Sequence, residues 1–429
     1  MPDYLTSITP DSFSGMIFAL EGVKRTVTLL NGPTGCKFYH SATSDNQVVR
    51  QLEFDPLRFP DTWYFGQPRV PCTYLDSKDY VYGSQSKLEE ALAFLRDNVE
   101  HDLLCIVNSP GAALIGDNLE GIARSVLGDE DAYLTIETPG FSEDVCAGYE
   151  TAVQHLIRKF AEPRKVVPKT VNILGLSIHH RNFKGDSAEL ERLLNLCGIE
   201  VNCVLCADCD FERVQSLASA ELNIVLHPEY ASETAQTLNE TFGMPFYVCD
   251  GLPIGFKATE QLVQDVCELL NCDASPALRE CEMARARAYP FISRVHSLSG
   301  LPNGVPFAVE GTYSELYAYT RFLVEYFGMV ADCVSPLNSE RDAFRAPLLD
   351  LLRKYSFESA TERDILDTTA ELVFASGITI SKLKLRKREF IGIETALPTM
   401  GYVDVIPKTH LGINGALLMV ESVLNGLVF

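Results

Sequence analysis

The chain has 429 residues, of which 46% are hydrophobic and 22% charged, and this composition excludes disorder, collagen and coiled coil. The length exceeds that of one compact domain and is enough for two or three. With 36 basic and 58 acidic residues the net charge is -22, which argues against nucleic acid and anionic membrane as partners, since both attract an excess of Lys and Arg.

The sequence also indicates a cellular compartment. No apolar run approaches the roughly 20 residues of a membrane span, and the start, Met1–Ser7, lacks the basic and apolar regions of a signal peptide. The expected location is therefore the cytoplasm. There the 13 cysteines should be free thiols, mostly buried as small hydrophobic residues, with a minority that bind a metal or a cluster.

Short apolar segments alternate with longer amphipathic ones along the chain, the pattern of open parallel sheets. The predicted strands are Arg25–Leu30, Asp102–Asn108, Ala132–Glu137, Thr170–Ser177, Val201–Leu205, Leu222–Leu226, Pro245–Val248, Val305–Val309 and Leu372–Ala375. The predicted helices are Ser86–Asn98, Asn118–Leu127, Glu143–Phe160, Asp186–Cys197, Phe211–Ala218, Ser232–Phe242, Thr259–Leu270, Ser275–Ser297, Tyr313–Phe327, Pro347–Tyr355 and Gly415–Leu427. Pro347 is expected at the first position of its helix.

The predicted fold class is α/β, with three Rossmann-like, doubly wound parallel-sheet domains. The first spans residues 1–165, the second 166–275, and the third, with linker helices and the C-terminal helix, 276–429. In such sheets ligands bind beyond the carboxyl ends of the strands, so the loops there are where chemistry is expected. Phosphate loops, GxGxxG, GxSxG and HExxH motifs are absent from the sequence, so sites of those kinds are not expected.

Several segments at predicted strand ends occur in a recognisable order. They are Asn31-Gly32-Pro33-Thr34-Gly35-Cys36, then Thr73-Tyr74-Leu75-Asp76, Val81-Tyr82-Gly83-Ser84 and Lys87-Leu88, then Ser109–Asn118, and finally Thr138-Pro139-Gly140-Phe141 with Gly148-Tyr149. In this order and spacing they resemble the component-1 family of nitrogenases and nitrogenase-like reductases. Segments such as Val171–Gly175 and Gly243-Met244-Pro245 extend the resemblance, and the last third of the chain matches more loosely.

The resemblance implies a function. In that family a heterodimer or homodimer of such chains holds an iron–sulfur cluster at the subunit interface, and a separate ATP-hydrolysing iron–sulfur reductase docks over it. Electrons pass through the cluster to a substrate or metallocofactor held among the three units of a chain. The chain is then one subunit of a nitrogenase-like two-component reductase. Two alternatives stay open: a scaffold for metallocofactor assembly, and the non-catalytic half of a heterodimer.

The resemblance also implies cluster ligands. Cys36 occupies the family's cluster cysteine, and free N–H groups at a glycine-flanked strand end suit cluster sulfurs. Asp11 and Ser109 stand where the family has two further cysteines, so an eight-iron cluster is not expected. A single [4Fe-4S] cluster, which needs four ligands, would be shared across a dimer. Cys72 is the second candidate ligand; Asp11 and Ser109 are weaker oxygen-ligand candidates, because capping a helix is the commoner use of both.

A cysteine-rich tract provides further candidates for cofactor binding. Cys203, Cys206 and Cys209 have the C-x2-C-x2-C spacing found in cluster proteins. On a strand, however, Cys203 and Cys206 face opposite sides, so the three are not expected to converge. Cys206 and Cys209 remain candidate contacts of a metal or cofactor, and the alternative is that all three are buried in the core.

Four histidines are the candidate catalytic residues. His227 falls where the nitrogenase catalytic subunit binds its active-site cofactor through cysteine, so an iron–molybdenum cofactor and dinitrogen reduction are not expected. His179 and His180 follow the first strand of the second unit and are predicted to face the same cavity. His410 lies near the family's second cofactor ligand. They would line the cavity or donate protons, and ordinary capping is the alternative; the substrate, a tetrapyrrole, a sulfur compound or another small molecule, stays open.

Overall fold

A computed structural model describes residues 10–36, 70–128, 131–137, 143–337, 341–396 and 405–428. The Thr138-Pro139-Gly140-Phe141 segment and the segment Met1–Ser7, to which the signal-peptide prediction applies, lie outside the described residues. Within them, no helix combines the length and the apolar character that crossing a membrane requires.

Strands and helices alternate as predicted. The strands are β1 Thr26–Asn31, β2 Leu103–Asn108, β3 Tyr133–Ile136, β4 Val167–Leu174, β5 Glu200–Val204, β6 Ala220–Val225, β7 Phe246–Val248, β8 Pro306–Gly311, β9 Val330–Pro336, β10 Leu372–Ser376 and β11 Ile391–Ala396. The helices of nine or more residues are α1 Ser12–Glu21, α2 Gln85–Asn98, α3 Leu119–Leu127, α4 Val145–Phe160, α5 Phe183–Leu196, α6 Pro228–Phe242, α7 Phe256–Leu269, α8 Ser275–Ser299, α9 Tyr313–Phe327, α10 Arg345–Lys354, α11 Gly377–Leu385 and α12 Gly412–Val428.

The strands form three parallel sheets, and the predicted fold class is confirmed. Their orders are β1-β2-β3, β5-β4-β6-β7 and β11-β10-β8-β9. Cys72 adds a parallel bridge to Leu30 on the other side of β1. With that segment counted as a strand, every unit has the order second, first, third, fourth, and a crevice opens between its first and third strands, where the order reverses. The predicted boundaries near residues 165 and 275 stay predictions.

The cores join neighbouring units. All six residues of β2 are buried, as expected for a parallel strand covered on both faces. One hydrophobic cluster combines the first and second units, with Phe13 and Leu205 among its members. Another combines the second and third, with Phe256 and Phe374. Residues in the crevices are therefore held between packed units.

The structure corrects one predicted helix start. Helix α10 begins at Arg345, so Pro347 is its third residue, and the prediction of Pro347 at the first position is wrong. The helix begins earlier because the Arg345 N–H donates to the carbonyl of Asp342 at 2.8 Å. A proline at the third position removes no intrahelical bond, since the first four N–H groups of a helix have no partner within it.

Candidate functional site

Residues of the first unit converge at the crevice between β1 and β2. We name Asp11, Cys36, Cys72, Tyr80 and Ser109 the Cys36 corner. Cys36 is half-buried in a short helical turn after β1. Its thiol hydrogen-bonds with Ser109, the residue after β2, and the charge of Asp11 also acts on it. Tyr80 hydrogen-bonds with the same serine. Three of the predicted ligand positions, on segments far apart in sequence, thus lie together.

A buried amide network fixes the shape of this corner. Asn31, the last residue of β1, donates to Asn108 at 2.9 Å and to Ser84 at 3.1 Å. Thr73 donates to Asn31 at 2.9 Å. A Cβ atom on Gly32 would lie 2.6 Å from Ser109 Oγ, so only glycine allows the two loops to approach this closely. The resembling segments therefore meet for a structural reason.

The two corner cysteines differ in how they are engaged. The Cys72 thiol is buried, donates to the Gly32 carbonyl at 3.2 Å and accepts the Tyr74 N–H at 3.4 Å. Cys36 is the more exposed of the two. Burial raises the pKa of Cys36, and its hydrogen bond with Ser109 opposes that rise. Cys36 is therefore better placed than Cys72 to meet a group outside this chain.

Asp11 and Ser109 both cap helices. Asp11 accepts the Ser14 N–H at 3.0 Å at the start of α1. Ser109 accepts the Ala112 N–H at 3.3 Å at the start of a short helix. Capping is the commoner use of both residue types. Ser109 is fully buried, and its oxygen already interacts with Cys36.

The cysteine-rich tract turns back on itself. Cys203 lies on β5, which ends at Val204, and its thiol hydrogen-bonds with Cys209. The turn is made at Cys206, whose φ is 56°. Strand alternation therefore stops before Cys206, and this explains how Cys203 and Cys209 come into contact. All three cysteines are buried, and the N–H of Cys209 donates to the carbonyl of Gly22 at 3.2 Å. Burial in the core, the alternative to cofactor binding, accounts for these contacts.

Three of the predicted histidines form a stack, which we define as His179, His180 and His227. The rings of His180 and His227 are nearly parallel, 9° apart with centroids at 4.2 Å, and the ring of His179 is 4.3 Å from that of His180. His179 and His180 follow β4, whereas His227 follows β6. These strands flank the crevice of the second sheet, so the topology brings the three residues together.

The histidine stack is electrically neutral. The Ser177 N–H donates to Nδ1 of His180 at 3.0 Å, so the neutral His180 ring carries its proton on Nε2. Among the described residues, neither ring nitrogen of His179 nor Nδ1 of His227 has a hydrogen-bond partner. Burial lowers the pKa of His179 and of His227 to about 3, and the pKa of His180 also falls well below its usual value.

Glu315, which the sequence did not single out, approaches the stack from the third unit. It belongs to the first turn of α9, directly after β8, and is buried. Its ligand oxygen and one nitrogen each of His180 and His227 lie within 4.8 Å of one another, the single such group of metal-ligand residue types in the described part of the chain. Burial raises the pKa of Glu315 to about 7, assisted by the charge of Glu229.

His410 lies beside the stack rather than in it. Its Nδ1 is 2.7 Å from the hydroxyl of Tyr319, which is one helical turn beyond Glu315. Its backbone N–H donates to Asp186 at 3.1 Å. Burial lowers the pKa of His410 to about 4, and the nearby charge of Arg181 contributes. A tyrosine and an aspartate thus fix its ring and backbone.

Three repeated α/β units with a cysteine at one strand-end crevice and buried histidines and a carboxyl at the others define a class of multi-unit, ligand-binding α/β protein. The family model described as nitrogenase component 1 type oxidoreductase matches residues 12–427. The chain belongs to this family.

Curated relatives carry one description, that of a subunit of light-independent protochlorophyllide reductase. The relative from Prosthecochloris aestuarii is 25% identical over 316 residues, 71% of this chain and 55% of that protein. The relative from Rhodopseudomonas palustris is 28% identical, over 61% of this chain and 48% of its own. That of Heliobacterium modesticaldum is 25% identical, over 85% and 68%. The chain thus spans about half the length of the first of these relatives.

Solved structures agree on the fold. "Nitrogenase Cp1 at pH 6.5" superimposes with a TM-score of 0.80 over 98% of this chain and 92% of the other, at 16% identity. "Nitrogenase Cp1 at pH 5" gives 0.72, also at 16% identity. At that identity the match establishes the architecture alone.

Proposed function

We propose that this chain is one subunit of a nitrogenase-like two-component reductase. It receives electrons from an ATP-hydrolysing iron–sulfur reductase through a [4Fe-4S] cluster at a subunit interface. The electrons reach a substrate between its units, near the histidine stack. The second subunit is a paralogous chain or a second copy of this one. The observation that supports this most directly is the Cys36 corner, where a partly exposed thiol lies at the crevice of the first unit.

The donor set of the corner fits a shared cluster. A [4Fe-4S] cluster needs four ligands, usually thiolates. Cys36 offers one, and Cys72 a second only if its bonds with the Gly32 carbonyl and the Tyr74 N–H are given up. This chain therefore supplies one or two ligands and the partner subunit the others. Ser109 would hydrogen-bond to the Cys36 sulfur, which tunes cluster potential.

Exposed apolar side chains around the corner suit an interface. They are Tyr74, Tyr80, Val81, Tyr82 and Leu114, and Tyr82 is 87% exposed. Tyrosine and other large apolar residues are typical of the central part of protein interfaces. A partner over this surface would also keep water and oxygen away from a low-potential cluster.

The residues of the chain divide the work of the reaction. When bound, the cluster supplies electrons at low potential. Cys36 holds it, and the loops fixed by Asn31 position Cys36 relative to Ser109. The histidine stack, between units two and three, orients the substrate and exchanges protons near it.

Relatives named for protochlorophyllide reduction support a tetrapyrrole as the first substrate to test. The chain would be combined anaerobically with a candidate partner subunit, the cognate reductase, ATP and protochlorophyllide. Spectral conversion of the pigment would support a tetrapyrrole reductase. Electron uptake without conversion would direct the search to other substrates.

The experiment that tests the cluster is iron and acid-labile sulfide analysis, with EPR of the dithionite-reduced protein purified anaerobically. We expect about four irons per dimer. Cys36→Ala should abolish the iron and the EPR signal. Cys72→Ala is the matched comparison, and because its thiol bonds to the backbone, it should retain most of the iron.

Two outcomes would contradict this assignment. The first is full iron content in Cys36→Ala. The second is an absence of iron in wild-type protein copurified with its partner subunit. The rival function, a scaffold for metallocofactor assembly, predicts transfer of bound metal to an acceptor protein and no turnover with the reductase.

A further inference from the structure

We propose that Glu315 is a proton-storing acid of the inter-unit site, which exchanges its proton with the histidine stack and donates it to a substrate reduced there. This inference builds on the proposed function and names a residue that no sequence pattern singled out. Reduction consumes protons together with electrons. A buried site therefore needs a group that holds a proton at neutral pH and can be recharged.

The contacts of Glu315 determine which oxygen can hold the proton. Its Oε2 accepts the Thr312 N–H at 2.8 Å and the Thr312 hydroxyl at 3.0 Å, and so closes the capping box of α9. A proton on Oε2 would compete with these two donors. The proton therefore belongs on Oε1, the oxygen that the cap leaves available.

The neighbouring imidazoles can relay that proton. His180 and His227 each place a ring nitrogen within 4.8 Å of the Glu315 oxygen. Because His180 accepts the Ser177 N–H on Nδ1, its Nε2–H is a donor. Nδ1 of His227 is buried without a hydrogen-bond partner among the described residues, so an acceptor is available on that ring in the tautomer protonated at Nε2.

The same geometry argues against a metal ion at this group. A metal needs imidazole lone pairs, which lie in the ring planes, to point at one centre. The His180 and His227 rings are instead stacked within 9° of parallel, so those lone pairs do not converge. Nδ1 of His180 also already accepts a backbone N–H.

The charges around Glu315 favour its protonated form. Glu229, on α6, accepts the N–H and the hydroxyl of Ser314 at 2.8 Å and sits close enough to repel a carboxylate on Glu315. The other titratable groups that face it are the two imidazoles and the phenols of Tyr230 and Tyr319, all neutral at pH 7. Burial raises the pKa of Glu315 to about 7, so both forms are populated there.

The step balances without a further reagent. The Glu315 O–H bond breaks as the substrate gains a bond to hydrogen, and the electrons come from the ATP-hydrolysing iron–sulfur reductase through the interface cluster. The carboxylate that remains is reprotonated from solvent through the imidazoles. Each cycle thus returns Glu315 to its starting form.

The test is a pH titration by infrared difference spectroscopy, which detects the C=O stretch of a neutral carboxylic acid. Wild type should lose such a band with a midpoint near pH 7, and the band should shift in D2O. Glu315→Gln should lack it, because Gln preserves the capping box but cannot ionise. Glu229→Gln should move the midpoint to lower pH, since a neighbouring negative charge is removed.

Glu310→Gln is the matched control. Glu310 is also buried, at the end of β8, but its carboxylate bonds to Ser376 and Thr379 instead of facing the imidazoles. The band that titrates near pH 7 should persist in this variant. Its loss in Glu310→Gln, or its persistence in Glu315→Gln, would overturn the proposal. So would one metal ion per chain that disappears in Glu315→Gln.

The cluster and the proton store can fail separately. The infrared titration needs neither cluster nor substrate, so it stands even where wild type lacks iron. If protochlorophyllide turns over, Glu315→Gln should slow turnover by about 100-fold or more, with iron content and EPR signal unchanged. An unchanged rate and pH profile would refute proton donation by Glu315 and leave the reductase assignment intact.

Discussion

At the scale of single residues, the buried carboxyl groups of the second and third units set how stability responds to pH. Asp186 accepts the Thr409 hydroxyl at 2.7 Å and the His410 N–H at 3.1 Å, and is buried. Burial raises its pKa from 3.8 to about 7. Between these values the folded state binds more protons than the unfolded state, so the free energy of unfolding falls as pH rises. Glu315 acts in the same direction.

We therefore predict that Asp186→Asn flattens this dependence. Denaturant unfolding at pH 5 and pH 8 should show wild type losing on the order of 2 kcal/mol more than the variant. Asn retains an acceptor for both hydrogen bonds but does not titrate. The control is Asp210→Asn, whose side chain is 65% exposed and which should behave as wild type. An equal loss in Asp186→Asn and wild type would contradict the prediction.

The site residues differ in how far the sequence revealed them. Cys36 and the histidines follow strands, where parallel topology concentrates function, so their positions were predictable. Glu315 was not, because Thr312-Tyr313-Ser314-Glu315 is an ordinary capping box at the sequence level. Its approach to His227 depends on the packing of the third unit against the second. The contact of Cys203 with Cys209 was likewise missed, because the turn at Cys206 follows from backbone geometry.

At the scale of elements, helix α1 packs closely against α4. A Cβ on Gly148 would overlap the backbone carbonyl of Ser12, and one on Gly15 would overlap that of Val145. The Ser12 N–H donates to the Glu143 carbonyl at 3.2 Å. This crossing holds Asp11, the first residue of the Cys36 corner, in place.

Gly148→Ala is predicted to destabilise the protein by about 1–3 kcal/mol, because the added methyl forces the two helices apart. The matched control is Gly35→Ala, at which an added Cβ meets no atom within 4 Å. Urea unfolding of both variants measures the difference. Equal stability of the two would show that the crossing relaxes without cost.

The secondary structure was predictable where the pattern was strong. Helix α9 has the predicted bounds, and β2 starts one residue late. Helix α1 and strands β9 and β11 were not predicted. The residues of α1 are apolar nearly all round, so they show no amphipathic period, and all are buried. Strand β9 alternates between buried and half-buried positions, a weaker signal than the continuous run in β2.

At the scale of the whole molecule, one guanidinium connects the three units. Arg341 bonds to the Glu150 carboxylate on α4, donates to the Glu229 carbonyl at 2.9 Å, and lies 3.4 Å from the Glu233 carboxylate on α6. Glu150 is fully buried and also accepts the N–H groups of Glu233 and Thr234. The pair therefore locks the first, second and third units around the inter-unit site.

Arg341→Gln should cost about 3–5 kcal/mol, because Glu150 is left as an unpaired buried charge. The double variant with Glu150→Gln should recover most of that loss. Denaturant unfolding of the four proteins of this cycle gives the coupling energy. Since burial raises the pKa of Glu150, the single variant should become relatively more stable as pH falls. Additive losses in the double variant would contradict this account.

The repeated strand order has a consequence for how chemistry diverges on this scaffold. Each unit pairs its strands in the same order, and the residues with chemical roles follow the first or third strand of a unit, outside the pairing. Substitutions in those loops leave the ladders intact. An ancestor with three such units can therefore exchange one loop for another, unit by unit, and acquire a new reaction without passing through an unfolded intermediate. A TM-score of 0.80 at 16% identity is what such a history leaves behind.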